Sequence, residues 1–151
     1  RAYCYAVAGI PGEMLCELFM LDRPELWPVA EDLRERAAVF GEAMQLVNIL
    51  KDEALDSGED RVFLPATVAT SEALALARRD LAVAREYVDL LRQPGVHPGV
   101  VGFHAITCGL AEAALEVTET NGPGAKMSRR CVADVFRGAG ISSDHIHEVA
   151  R

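Results

Sequence analysis

Apolar residues recur along most of this chain at steps of three and four, the spacing that turns one face of an α-helix inward. The first such segment, residues 1–21, is almost wholly apolar and is predicted to bend around Gly9, Pro11 and Gly12. A connector over 22–28 leads to a long helix from about residue 29 to residue 56, ended by Ser57-Gly58-Glu59-Asp60. Residues 61–65 read as an irregular or extended exit. Ser71 and Glu72 open a helix that runs to about residue 92, 93–99 form a turn, and 100–120 form a second apolar helix stopped by Asn121-Gly122-Pro123-Gly124. A shorter helix over 128–137, a loop and a stub capped by Ser143 complete the pattern. No segment alternates at period two long enough for a strand; 61–65 is short and closes on proline. The pattern predicts an all-α chain of about six helices, too long for a simple small bundle.

One helix departs from ordinary patterning. In Gln45-Leu46-Val47-Asn48-Ile49-Leu50-Lys51-Asp52-Glu53-Ala54-Leu55-Asp56 the polar residues Gln45, Asn48, Asp52 and Asp56 follow steps of three, four and four. At about 100° per residue they share an arc of roughly 80° with Gly41, while Val39, Phe40, Leu46, Val47, Ile49 and Leu50 fill the other side. A solvated face would pair Glu with Lys at i,i+4 for a few tenths of a kcal/mol. Here two aspartates stand one turn apart and repel, and aspartate is a poor residue inside a helix. Such paired violations tend to mark functional sites. Mg²⁺ supplies a reason: it takes hard oxygen ligands, commonly one or two carboxylates together with water and phosphate oxygens. Glu53 lies beside the arc as a third carboxylate.

Charge narrows the partners. Acidic residues outnumber basic ones, 23 to 15, for a formal net charge of −8, which argues against a general nucleic-acid surface. An anionic substrate must then be met by local basic groups or metal ions. Cys4, Cys16, Cys108 and Cys131 form no CxxC pair and lie in apolar surroundings, as buried reduced thiols of an intracellular protein do. No unbroken apolar run reaches the roughly 18 residues of a membrane span. The chain opens at Arg1 and enters an apolar segment without a cap, which predicts that upstream sequence is missing.

The motifs Tyr3-Cys4-Tyr5-Ala6-Val7-Ala8-Gly9, Phe40 to Asp56 and Arg61-Val62-Phe63-Leu64-Pro65 resemble, in order and spacing, the squalene/phytoene synthase family: its YCxxVAG segment, its second aspartate-rich motif and the RxYLP that follows. The resemblance covers residues 1 to about 137. It implies the all-α terpenoid synthase fold around a central cavity, here incomplete. It implies Mg²⁺-dependent head-to-head condensation of two prenyl diphosphates, farnesyl or geranylgeranyl, through a cyclopropyl diphosphate. Mn²⁺ is an alternative ion, and NADPH enters only for a squalene synthase. It makes Asn48, Asp52 and Asp56 metal ligands and places Gln45 at the diphosphate. Tyr3 falls near the reacting carbons, Val7 and Gly12 wall the prenyl channel, and Arg61 and Lys51 bring positive charge to the leaving group. Lys51 stands where the family has arginine and lacks the planar fork. Lys126, Arg129 and Arg130 resemble a late basic segment that covers the diphosphates. The implied partners are prenyl diphosphates and no nucleic acid, with peripheral membrane contact and oligomeric state left open. The implied location is cytoplasmic or peripheral to a membrane.

The chain also departs from the family. The first aspartate motif is absent, so the 151 residues alone are expected to show no turnover. Leu55 replaces an acidic residue, Phe63 a tyrosine and Pro11 a valine. These changes motivate the alternative of a non-catalytic module that binds a partner protein or a prenyl lipid. Trp27 is expected as a packing anchor, and His97 and His104 as core or surface residues.

Overall fold

The computed structural model describes residues 1–58, 63 and 68–140, with the side chains of 54–58 outside that description. Five helices and no strand occur among the described residues: α1 (Ala2–Asp22), α2 (Ala30–Gly58), α3 (Thr70–Leu90), α4 (Pro98–Asn121) and α5 (Arg129–Gly138). This is the all-α class read from the periodicity. The stub at Ser143 lies outside the described residues.

The bend expected at Gly9–Gly12 takes a different form. Residues Tyr5–Gly9 are π-helical, and α-helix resumes at Ile10 with Pro11 in its first turn. Pro11 has no N–H to donate, and its ring collides with the carbonyl four residues back in a regular helix. The wider π turn just upstream makes room for it.

α2 is the central element and packs on α1, α3 and α4. Its crossing with α1 is backbone to backbone. A Cβ on Gly12 would lie 2.5 Å from the Ala37 carbonyl oxygen, and one on Gly41 would lie 2.0 Å from that of Ala8. These pairs run antiparallel, so the start of α1 lies toward the later turns of α2. The core is filled by Leu33, Ala37, Ala43, Val47 and Leu50 of α2 with Ala77, Leu81 and Ala84 of α3 and Val100, Cys108 and Leu115 of α4. The small residues at 73, 77 and 84 let α3 sit close to its neighbours.

His104 is buried in an aromatic cage. Its ring centroid lies 5.1 Å from Phe19, 5.3 Å from Phe40, 5.4 Å from Tyr87 and 5.0 Å from Phe103. Its Nδ1 stands 2.8 Å from the Val100 carbonyl oxygen, to which it donates when protonated. Burial lowers its pKa below the ordinary imidazole value, a preference that the Val100 hydrogen bond only partly offsets. The unfolded chain therefore takes up a proton that the folded ring refuses. Stability is complete above about pH 6.5 and falls, by at most ~1.4 kcal/mol per pH unit, as pH drops below it. Urea midpoints between pH 7.5 and 5 are expected to decline for the parent chain and to flatten in His104→Phe.

α1 and α4 are each long and apolar enough to cross a membrane by length and composition, although neither is an unbroken apolar run of that length. A few scattered polar residues interrupt each run without lowering its mean hydropathy far. α4 nonetheless contributes seven buried residues to the protein interior, among them Val100, His104, Cys108 and Leu115. Trp27 does not anchor the core: it is 66% exposed, and its indole N–H donates to the Met20 carbonyl oxygen at 3.1 Å, tying the α1–α2 corner. Cys4, Cys16 and Cys108 are buried free thiols whose pKa burial raises, that of Cys108 to about 12, so they pack as neutral groups.

Candidate functional site

The polar arc of α2 begins where the helix leaves α1. Gly41 is buried at that crossing, Gln45 is half-buried one turn on, Asn48 is exposed and Asp52 is half-exposed. Burying the apolar side of α2 on α3 and α4 leaves this arc facing outward. Lys51 reaches across it: its Nζ donates to Asn48 Oδ1 at 3.5 Å and lies 3.4 Å from Asp52 Oδ2. The fold thus brings together an amide oxygen, a carboxylate and an ammonium. The Asp56 side chain and all of Arg61 lie outside the described residues.

The basic segment 122–130 docks on the same helix. Gly122 and Gly124 adopt φ of 86° and 84°, a left-handed conformation that glycine enters without Cβ strain. The resulting turn lets the Gly124 N–H donate to the Lys51 carbonyl oxygen at 2.7 Å. Met127 packs against the core, and Ser128 caps α5 by accepting from the Cys131 N–H at 3.1 Å. Lys126 is exposed two residues past the contact with α2, and Arg129 and Arg130 are exposed in the first turn of α5. A separation of 73 residues in sequence is closed here by a backbone hydrogen bond.

On α1, Tyr3, Val7, Ile10 and Met14 share an exposed face, and Leu18 and Leu21 continue it. The Tyr3 ring stands 5.1 Å from that of Phe63, just beyond the C-terminal end of α2. Gly12 lies at the α1–α2 crossing, where its missing side chain sets the helix separation. Where a cavity is expected beside Tyr3, this face is largely exposed among the described residues, with Phe63 packed against the Tyr3 ring. A concavity of about 390 Å³ lies elsewhere, between α3, α4 and α5, lined by Arg85, Val88, Cys108, Gly109, Glu112 and Val135. It shares no residue with the arc of α2. Both of its arginines are already paired, Arg85 with Glu112 at 2.6 Å and Arg92 with Asp89 at 3.4 Å.

The donor set fits a divalent ion. Asn48 Oδ1 and the Asp52 carboxylate are hard oxygens one turn apart, the ligand type Mg²⁺ and Mn²⁺ prefer. Among the described residues no three His, Cys, Asp or Glu side chains cluster as a complete protein cage. Such an ion would be held by Asn48 and Asp52 together with phosphate oxygens.

Two charged residues escaped the reading of the chain. Glu42 and Asp80 are buried carboxylates on facing helices. The signal was present for Asp80, which falls on the buried face of α3 in the series Ala73, Ala77, Asp80, Ala84, Tyr87.

Known proteins are similar over the first half of the chain. The squalene/phytoene synthase family profile matches residues 1–74. The phytoene synthase of Thermus thermophilus is 41% identical over 66 residues, which cover 42% of this chain and 19% of that protein. The chloroplastic phytoene synthase 1 of Arabidopsis thaliana is 40% identical over 63 residues, covering 42% of this chain and 15% of that protein. The matched part is thus under a fifth of the length of either relative. No solved structure matches the chain.

Proposed function

Because residues 1–74 belong to the squalene/phytoene synthase family, we propose that this chain carries one metal–diphosphate face of a prenyltransferase that condenses two prenyl diphosphates head to head in isoprenoid and carotenoid synthesis. The substrates are farnesyl or geranylgeranyl diphosphate, and the path runs through a cyclopropyl diphosphate. NADPH is required only if the product is squalene. The reading places the protein in the cytoplasm or at a membrane surface.

The observation that carries the proposal is the placement of Asn48, Lys51 and Asp52 on one side of α2 with the 122–130 segment pinned beside them. Asn48, Asp52 and Asp56 would hold Mg²⁺, which, when bound, neutralises charge on the departing diphosphate. Lys51 leaves its carboxylate for a phosphate oxygen as the anion arrives. Lys126 of the loop and Arg129 of the first turn of α5 cover the anion, and Arg61 adds positive charge toward the leaving group. These cations act where negative charge develops on the leaving oxygens. Gln45 donates its amide N–H to the diphosphate at the buried end of the arc. Tyr3 and Val7 offer a π face and an apolar wall to the allylic carbons, stabilising the cation without trapping it. Gly12 keeps α1 close enough to α2 for both faces to reach one substrate.

Titration calorimetry with geranylgeranyl thiodiphosphate, which resists ionisation, tests this. Binding to the 151-residue chain is expected only with Mg²⁺ or Mn²⁺ present, without turnover of the natural diphosphate. Equal binding in EDTA would favour the second reading, a module that holds a prenyl lipid or a partner, for which the open apolar face of α1 speaks.

A further inference from the structure

We propose that Glu42 and Asp80 are positioning residues that hold the first turn of α1, and with it Tyr3, against α2. Asp80 of α3 is 5% exposed and Glu42 of α2 is 8% exposed. Both face one guanidinium. Arg1 Nη2 stands 2.6 Å from Asp80 Oδ1 and 2.7 Å from Oδ2, and Arg1 Nε stands 3.6 Å from Glu42 Oε2. Glu42 Oε2 is buried and accepts no hydrogen bond. A buried carboxylate without a partner is costly, and two of them on adjacent helices repel. The cation between them is therefore held where it is, and it sits on the element whose position matters. The Arg1 carbonyl oxygen accepts from the Tyr5 N–H at 2.9 Å, so the tethered residue is part of the helical turn that contains Tyr3.

The clasp joins three elements and crosses a boundary. Arg1 and Glu42 lie within the span matched by the synthase family, and Asp80 lies outside it. The consequence for substrate rests on the proposed function, in which Tyr3 meets the prenyl carbons while the arc of α2 meets the diphosphate. Loosening the clasp should then affect the hydrocarbon end of the ligand and spare the anionic end.

Two measurements on the 151-residue chain test this. In Asp80→Asn and Glu42→Gln, amide hydrogen exchange at Tyr5 to Ala8 is expected to quicken at least tenfold, with the amides of α4 unchanged and Asp80→Glu restoring protection. Arg1→Gln, which alters no core side chain, should show the same local change should Asp80→Asn fail to fold. With Mg²⁺ present, Asp80→Asn should weaken geranylgeranyl thiodiphosphate at least tenfold and leave inorganic pyrophosphate within twofold. Unchanged exchange at Tyr5 to Ala8 would overturn the clasp, as would equal loosening of α4. Equal weakening of both ligands, or of neither, would overturn its role in placing Tyr3. If the parent chain binds neither ligand, the proposed function fails, and the exchange result alone decides whether the clasp positions the turn.

Discussion

Asp52→Asn is expected to weaken Mg²⁺-dependent binding of geranylgeranyl thiodiphosphate to this chain by about 100-fold, equivalent to ~2.7 kcal/mol, while the helical fold stays intact. The amide keeps the size of the carboxylate and one of its oxygens but loses the charge that a hard dication requires. Asp52 is half-exposed and its described ion-pair partner is Lys51, so the folded chain loses little with it; exposed pairs of this kind contribute about 0–1 kcal/mol. Calorimetry against the parent chain, with circular dichroism and a urea midpoint as controls, provides the check. Affinity within threefold of the parent would remove Asp52 from the metal site. Asn48→Ala should fall in the same direction by less, because a neutral carbonyl is the weaker ligand.

Gly41→Ala is expected to be among the most destabilising single changes in the chain, at about 3 kcal/mol or more, a fall of roughly 6–12 °C in Tm for a domain of this size. Its new Cβ would lie 2.0 Å from the Ala8 carbonyl oxygen and 2.6 Å from that residue's carbonyl carbon. Both atoms are backbone, so no side chain can turn aside, and α1 must shift bodily off α2. The comparison is Gly102→Ala in α4, where nothing stands within 4 Å of an added Cβ. There the same substitution should stabilise by about 0.5–1 kcal/mol, since glycine is costly inside a helix. A loss below about 1 kcal/mol for Gly41→Ala would mean that the helices do not meet at this separation. Because the arc of α2 starts at Gly41 and the face of α1 starts at Tyr3, the substitution should also disturb ligand binding, which separates it from an ordinary core defect.

These expectations differ in how much of their basis was visible beforehand. The helices and their ends follow from periodicity and from Gly, Pro and Ser at the breaks, all local in the chain. The arc of Gln45, Asn48 and Asp52 is equally local, because one helix sets the spacing of its own side chains. The family motifs at Tyr3–Gly9 and Phe40–Asp56 are local for the same reason, which is why residues 1–74 could be assigned from the chain alone. Gly41 was visible as part of the arc, but its reason for being glycine was not; that lies in Ala8, 33 positions earlier. The role expected for Trp27 failed similarly, since an aromatic between two prolines carries no sign of which way the corner turns.

By itself the sequence determined the helix class, the helix ends, the oxygen-bearing stripe and the family of the first half, because each depends on neighbours within a few turns. Only the tertiary structure decided that Gly124 brings a basic segment to Lys51, that Arg1 spans Glu42 and Asp80, and that the face carrying Tyr3 is largely exposed among the described residues. Those outcomes depend on how far apart helices settle when their small residues and buried charges meet, a balance of packing and desolvation among groups distant in the chain.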